Sequence, residues 1–294
     1  MNLIFLIALF NFVMLINNNV IYPQWPAPSH VYAAMSTRAI PEGVSLAPFE
    51  HFNLGDHVHD NPSHVLHNRK IWTEKVRSLH SQNIGKDSNI NNLHLVYLKQ
   101  IHGTDVVLIN SQTAQASVAD ACISVEPHQA CTIMVADCLP LIFCTEDGQV
   151  LAAAHAGWRG LLDGVLEATV QAMTDQMNQL QLPTHQKIYA WLGPCIGPSA
   201  FEVGQEVFDA FCTTTRLNDN FKSYFQKQEN GKWKADLAGI ARRKLVQNKN
   251  IICFGNDSSL TWCTFHSPNL FFSHRRDAAI LGSTGRMAVS IFRG

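Results

Sequence analysis

Three short segments each carry one side chain well suited to bind a metal: K-Q-I-H-G-T-D at 99–105, V-A-D-C-L-P-L at 135–141 and A-A-H-A-G-W-R-G at 153–160. The donors are His102, Cys138 and His155, and none has a second histidine or cysteine three or four residues away. Two imidazoles and one thiolate from separate segments describe a centre with three protein ligands and one open position. Structural zinc sites are usually closed by four ligands, whereas catalytic ones leave room for water or substrate. Zinc suits this donor set, and copper could occupy it too. A zinc ion lowers the pKa of a bound water to about 7, and Asp137, next to a ligand in sequence, is a candidate proton shuttle for that water. Taken singly, each of the three donors reads more readily as a satisfied core residue, the cysteine most of all. Their shared placement at the ends of apolar runs is what points to chemistry.

G-W-R-G at 157–160 opens a helix, where free backbone N–H groups and the positive dipole end favour an anion. Arg159 in that turn, Arg38 after an early strand, and the pair Arg275-Arg276 are candidates for a phosphate clamp. The histidines at 51, 57, 59, 64 and 67 have no consistent spacing. They read as loop residues, with His57 in N-L-G-D-H the expected exception.

Those side chains need strands that are neighbours in a sheet, because His102 and Cys138 lie 36 residues apart and Cys138 and His155 lie 17 apart. Period-two and buried apolar runs predict strands over 30–38, 93–98, 106–109, 131–135, 139–144, 150–156, 188–192, 251–254 and 287–292. Helical spacing predicts helices over 63–80, from Leu161 onward through Met173, through Val203–Phe211, and near 235–247. The stretch 39–64 is loop-rich, and 213–232 is polar. Strands and helices alternate with no linker, composition break or internal repeat, so one α/β-type domain is expected.

Composition narrows the function further. The chain has 294 residues, 46% hydrophobic, and a net charge of −1. With no basic stripe, neither nucleic acid nor an anionic membrane is an expected partner. The eight cysteines include no C-x-x-C and mostly sit in apolar strings, so the seven other than Cys138 read as buried reduced thiols in a cytoplasmic protein. Leu3–Ile16 is nearly all apolar, but shorter than the roughly 20 residues a spanning helix needs. Because the first basic residue is Arg38, a start placed too early ranks ahead of a weak signal or anchor, which would make the chain secreted or anchored, and of an appended strand. Residues 1–20 are accordingly set apart as an extension, with the folded domain over 21–294.

In order along the chain stand T-R with G-V-S (37–45), N-L-G-D-H (53–57), N-R (68–69), K-Q-I-H-G-T-D, A-D-C-L-P, A-A-A-H-A-G-W-R-G, L-G-P-C-I-G-P-S-A-F-E-V (192–203), F-F-S-H-R-R-D (271–277) and T-G-R (284–286). This set resembles the bacterial laccase-domain proteins, once called multicopper polyphenol oxidases, over about 21–294. The resemblance implies an α/β (α+β) fold, a single-domain α/β/β/α sandwich with mixed sheets, in which His102, Cys138 and His155 bind zinc. It also implies phosphorolysis of adenosine, inosine, guanosine and methylthioadenosine, and deamination of adenosine to inosine. Asp137 would join the three ligands in catalysis, and Arg38, Asn53, Arg159 and Arg275 are the candidate phosphate or nucleoside contacts. The partners are then purine nucleosides and phosphate, with a monomer as the default state. Two stretches depart from the pattern: T-R-A-I-P-E-G-V-S is longer and one glycine short, and the segment from Arg276 to Thr284 is long.

A copper-dependent phenol oxidase is the alternative activity, weakened because several copper sites need many more paired histidines. A non-catalytic metal or nucleotide sensor, and a hydrolase using Cys138 as nucleophile, complete the set.

Overall fold

The structure is a computed structural model describing residues 14–81, 92–213 and 221–294. Two six-stranded mixed sheets form its centre. In spatial order the first contains β1 (Leu15–Asn17), β2 (Val20–Tyr22), β3 (Val31–Ser36), β15 (Met287–Arg293), β7 (Gln129–Val135) and β4 (His94–Tyr97). The second runs β14 (Ile251–Gly255), β10 (Ile188–Leu192), β8 (Leu139–Thr145), β9 (Leu151–Ala156), β6 (Ala121–Ser124) and β5 (Val106–Leu108). Most pairs are antiparallel; β4 with β7, β5 with β6, and β10 with β14 are parallel.

The sheets stack face to face. Ile133, Val289 and Ile291 from the first meet Ile142, Leu151, Ala153 and Trp191 from the second. Outside the first sheet, Trp72 and Val76 of α1 (Pro62–Ser81) cover Met134, Ala288 and Phe292. Outside the second lie α3 (Val165–Gln179), α4 (Gln205–Cys212) and α5 (Leu237–Leu245), through Leu166, Met173, Val207, Phe211 and Ile240. This is the expected α/β/β/α sandwich. It explains the continuous apolar runs of β7, β8 and β9, because a strand covered on both faces has no solvent side.

β9 shows how this layering aims a ligand. Ala152, Ala154 and Ala156 belong to the helix-side core, where small side chains let α3 approach, while Leu151 and Ala153 belong to the layer between the sheets. By the same alternation His155 points into the inter-sheet layer at its end.

Several elements differ from expectation. The helix expected from Leu161 is two: α2 (Trp158–Asp163) stops at Gly164, whose φ of 105° ends it in the left-handed region, and α3 starts anew. Val203 lies not in a helix but in β11 (Glu202–Val203), which joins β13 (Trp233–Ala235) and β12 (Phe225–Lys227) in a small third sheet. The strand β6 and the helix α6 (His274–Leu281) arise in stretches assigned no element. Residues 1–13, and with them most of the Leu3–Ile16 run, lie outside the described residues. Leu15–Asn17 pairs with Val20–Tyr22 as a hairpin on the sheet edge, so ordered structure starts before Ile21.

Candidate metal centre

His102 follows β4, Cys138 occupies the turn between β7 and β8, and His155 lies near the end of β9. Their donor atoms all lie within 4.8 Å of one another. For a tetrahedral zinc with the usual bond lengths, a sulfur and an imidazole nitrogen sharing the ion stand about 3.6 Å apart. Cys138 Sγ and His102 Nε2 are 3.7 Å apart. The three residues therefore fit a divalent ion in spacing as well as in donor chemistry.

The centre is held by a residue the sequence reading did not single out. Asp120, fully buried before β6, accepts the backbone N–H groups of Ile101, His102 and Gly103 at 3.0, 2.9 and 2.7 Å. Its Oδ1 also lies 2.8 Å from His155 Nδ1. A carboxylate only accepts, so Nδ1 carries the proton and Nε2 is left for a metal. One carboxylate thus orients one histidine ligand directly and fixes the turn bearing the other. That turn needs support, since His102 has φ 63°, an unfavourable region for a non-glycine residue. Burial works to raise the Asp120 carboxyl, but the His155 and backbone hydrogen bonds outweigh it and hold it below its usual range. Asp120→Asn should lower zinc affinity by about 10–100-fold, read by competition with a chromophoric chelator. Unchanged affinity would remove this orienting role.

Charge within the centre is strongly redistributed. Burial works to raise the Cys138 thiol, yet the His155 and His102 side chains bring it down to about 6. Burial works to lower His155, yet the Cys138 thiolate and Asp120 take it up to about 9. Between those values the pair is thiolate and imidazolium, so a metal arriving at pH 7.5 meets an ionised sulfur but must displace the proton of His155. Zinc binding should therefore release about one proton from this pair at pH 7.5, with fewer released as the pH rises past 9. Calorimetry in buffers of different ionisation enthalpy measures that number; zero release would contradict it.

The centre opens into a cavity of about 450 Å³, within the range of small-molecule sites. Trp158, Phe201, Leu237 and Met134 line it, along with the guanidinium-bearing Arg159, Arg275 and Arg286. His57, the one loop histidine set apart in the sequence, also lines it, whereas His51 lies in a separate depression. Arg159 is exposed and lies over the Trp158 ring at 4.4 Å. Arg275 is exposed, and its Nη1 donates to the Glu202 carbonyl at 2.8 Å.

Other candidates are placed elsewhere. Arg38 donates Nε to the Glu50 carbonyl at 2.9 Å, pairs with the Glu50 carboxylate and lies 4.6 Å over Phe272, in that separate depression. Its charge is engaged there and does not reach the cavity. Arg276 donates to the carbonyls of Thr264, Phe265 and Phe271 and to Asp277, so it braces a loop. Asn53 is fully buried and accepts Gly55 and Arg286 backbone N–H groups at 2.9 and 2.8 Å. It shapes the wall without touching the cavity. Asp137 does line the cavity, but its carboxylate accepts from Thr264 Oγ1 at 2.6 Å, Ser273 Oγ at 3.0 Å and the Arg275 N–H at 2.7 Å. Three donors occupy it as a brace tying 264–275 to the cysteine turn, which leaves it poorly placed to shuttle protons.

With the geometry in hand, likeness to known proteins becomes informative. Residues 32–294 match the family model described as multi-copper polyphenol oxidoreductase laccase. The chain belongs to this laccase family. Among its relatives, a purine nucleoside phosphorylase of Escherichia coli is 41% identical over 275 residues, covering 94% of this chain and 99% of that protein. One of Pseudomonas aeruginosa is 40% identical over 267 residues, covering 90% and 95%. A crystal structure of Neisseria meningitidis protein NMB0706 superposes with a TM-score of 0.77 at 38% identity, over 94% of this chain and 99% of that one. Despite the multi-copper description, this laccase-family chain offers, among the described residues, a single group of three potential ligands. No helix among those residues is long and apolar enough to cross a membrane.

Proposed function

We propose that this chain is a zinc-dependent purine nucleoside phosphorylase, acting on adenosine, inosine, guanosine and methylthioadenosine, that also deaminates adenosine to inosine. The observation that carries the reading is the joining of a three-ligand centre to a cavity of about 450 Å³ lined by flat apolar surfaces and guanidinium groups. Relatives about 40% identical over nearly the whole chain bear the name purine nucleoside phosphorylase, which supports it.

A nucleoside has an apolar, stackable base and a polar sugar. Phe201 and Trp158 offer ring faces for the base, and Leu237 and Met134 exclude water around it. Arginines on the cavity wall hold phosphate, whose oxygen attacks the ribose C1′ while the bond to the purine nitrogen breaks. The products are free base and ribose 1-phosphate. Holding the two reactants together supplies much of the rate by removing the entropy of their encounter. His102, Cys138 and His155 would hold the zinc, which would supply Lewis-acid activation to the reaction. Asp120 keeps that ligand set in one geometry through the reaction. Copper in the same ligands remains the alternative, and a cytoplasmic setting accords with eight free cysteines.

The test is product analysis. Purified chain with inosine and phosphate should yield hypoxanthine and ribose 1-phosphate, and adenosine alone should yield inosine. Oxygen uptake with a phenolic substrate, without nucleoside turnover, would replace this reading by the copper oxidase.

A further inference from the structure

The arginines of the cavity differ in how far their charge is shielded. Arg159 and Arg275 are exposed, where water and salt screen an ion pair to little net value. Arg286 is mostly withdrawn from solvent, and its side chain sits against the cavity with the cysteine turn nearby. A cation in that setting attracts an anion more strongly, and costs more to leave unpaired.

Arg286 nevertheless has no carboxylate partner among the described residues. Its Nη1 donates to the carbonyls of Thr284 and Gly285 at 3.0 and 3.1 Å, and its Nε and Nη2 donate to no described residue. The nearest negative groups are otherwise occupied. Asp137 already accepts three hydrogen bonds, and Cys138 faces the two histidines. Three of the five N–H donors of a rigid planar fork therefore remain, a geometry that matches phosphate oxygens.

The surrounding structure is built around this residue. Asn53 Oδ1 accepts the Arg286 N–H at 2.8 Å, and Leu54 N–H donates to the Arg286 carbonyl at 3.0 Å. Asn68 in turn donates to the Asn53 carbonyl at 2.9 Å. A β-carbon at Gly55 would lie 2.7 Å from Arg286 Cγ, so glycine there admits the side chain's path. The N-L-G segment and Asn68 are thus the mould of one arginine, an arrangement excessive for a surface charge.

We infer that Arg286 is the principal anion anchor of the cavity, holding the phosphate that attacks the nucleoside, with Arg159 and Arg275 at its solvent side. The identity of the anion rests on the phosphorolysis reading; the anchoring of an oxyanion does not. Inorganic phosphate is therefore the probe, titrated calorimetrically into the metal-loaded full chain, alongside phosphate and nucleoside KM values. Arg286→Gln should raise the phosphate Kd about 10–100-fold, the worth of about one charge-assisted hydrogen bond lost net. The nucleoside KM should move by less than about threefold, since the base and sugar contacts stay. Arg286→Lys, which keeps the charge in the same mould, should still raise the phosphate Kd about tenfold, because a point charge cannot replace the fork. That variant decides the matter if Arg286→Gln does not fold.

Phosphate affinity unchanged in either folded variant, or a larger loss in Arg159→Gln than in Arg286→Gln, would overturn the assignment. So would a wild-type chain that binds no phosphate. A wild-type chain that binds phosphate through Arg286 but cleaves no nucleoside upholds the anchor and removes the phosphorolysis reading alone.

Discussion

Cys138→Ala is expected to abolish tight zinc binding and to cut nucleoside phosphorolysis by roughly 10²–10⁴-fold. Several kcal/mol of charge stabilisation are at stake, at about 1.36 kcal/mol per factor of ten in rate. The variant removes the single anionic donor and leaves two imidazoles, which cannot close around a divalent ion as firmly. It also ends the thiolate–imidazolium pairing that draws the thiol down to about 6 and His155 up to about 9. The fold should survive, because Cys138 sits in a turn at the cavity rather than in the sheet core. Metal content and turnover should fall together, with the melting curve of metal-free protein shifted by only a few degrees. Full turnover in Cys138→Ala would remove the centre from catalysis.

Gly157→Ala tests the centre without touching a ligand. Gly157 has φ −67° and ψ 162°, ordinary extended backbone that alanine adopts without strain. Its lack of a side chain is required by space instead. A β-carbon there would stand 2.5 Å from His102 Cδ2 and 3.1 Å from Cys138 Sγ. Both atoms belong to metal ligands, so the new methyl must push the imidazole or the thiolate out of place. Inserting a methyl group into packed surroundings typically costs 1–3 kcal/mol. Here that cost falls on the ligand geometry, and zinc affinity should drop about 5–150-fold, the same range expressed as a ratio of dissociation constants. Chelator competition measures the drop. Wild-type affinity in Gly157→Ala would mean that the ligands do not converge as the structure has them.

What the sequence conceals is as instructive as what it displays. Cys138 and His155 and their strands were legible because β7, β8 and β9 are covered on both faces and read as continuous apolar runs, with Cys138 between two of them and His155 near the end of the third, while His102 follows the apolar run of β4. Asp120 was not, since its role exists only once the turn at 101–103 and the end of β9 meet around it. Asp137 shows the complementary case. Adjacency to a ligand in sequence placed its carboxylate beside Cys138, but a residue with φ 82° turns the chain there and its carboxylate meets the 264–275 loop. Arg38 and Asn53 belong to shared motifs, yet one braces a loop against Phe272 and the other moulds the wall beneath Arg286. The break at Gly164 was missed because a single glycine is tolerated inside an amphipathic pattern, and only its φ of 105° reveals the stop.

The most direct test removes the metal and returns it. Wild-type chain stripped by a chelator should lose phosphorolysis of inosine, and titration with zinc should restore the rate, reaching its plateau at one ion per chain. Stripped protein that cleaves inosine at the full rate, or a plateau requiring several ions, would contradict a single three-ligand centre at the heart of the proposed activity.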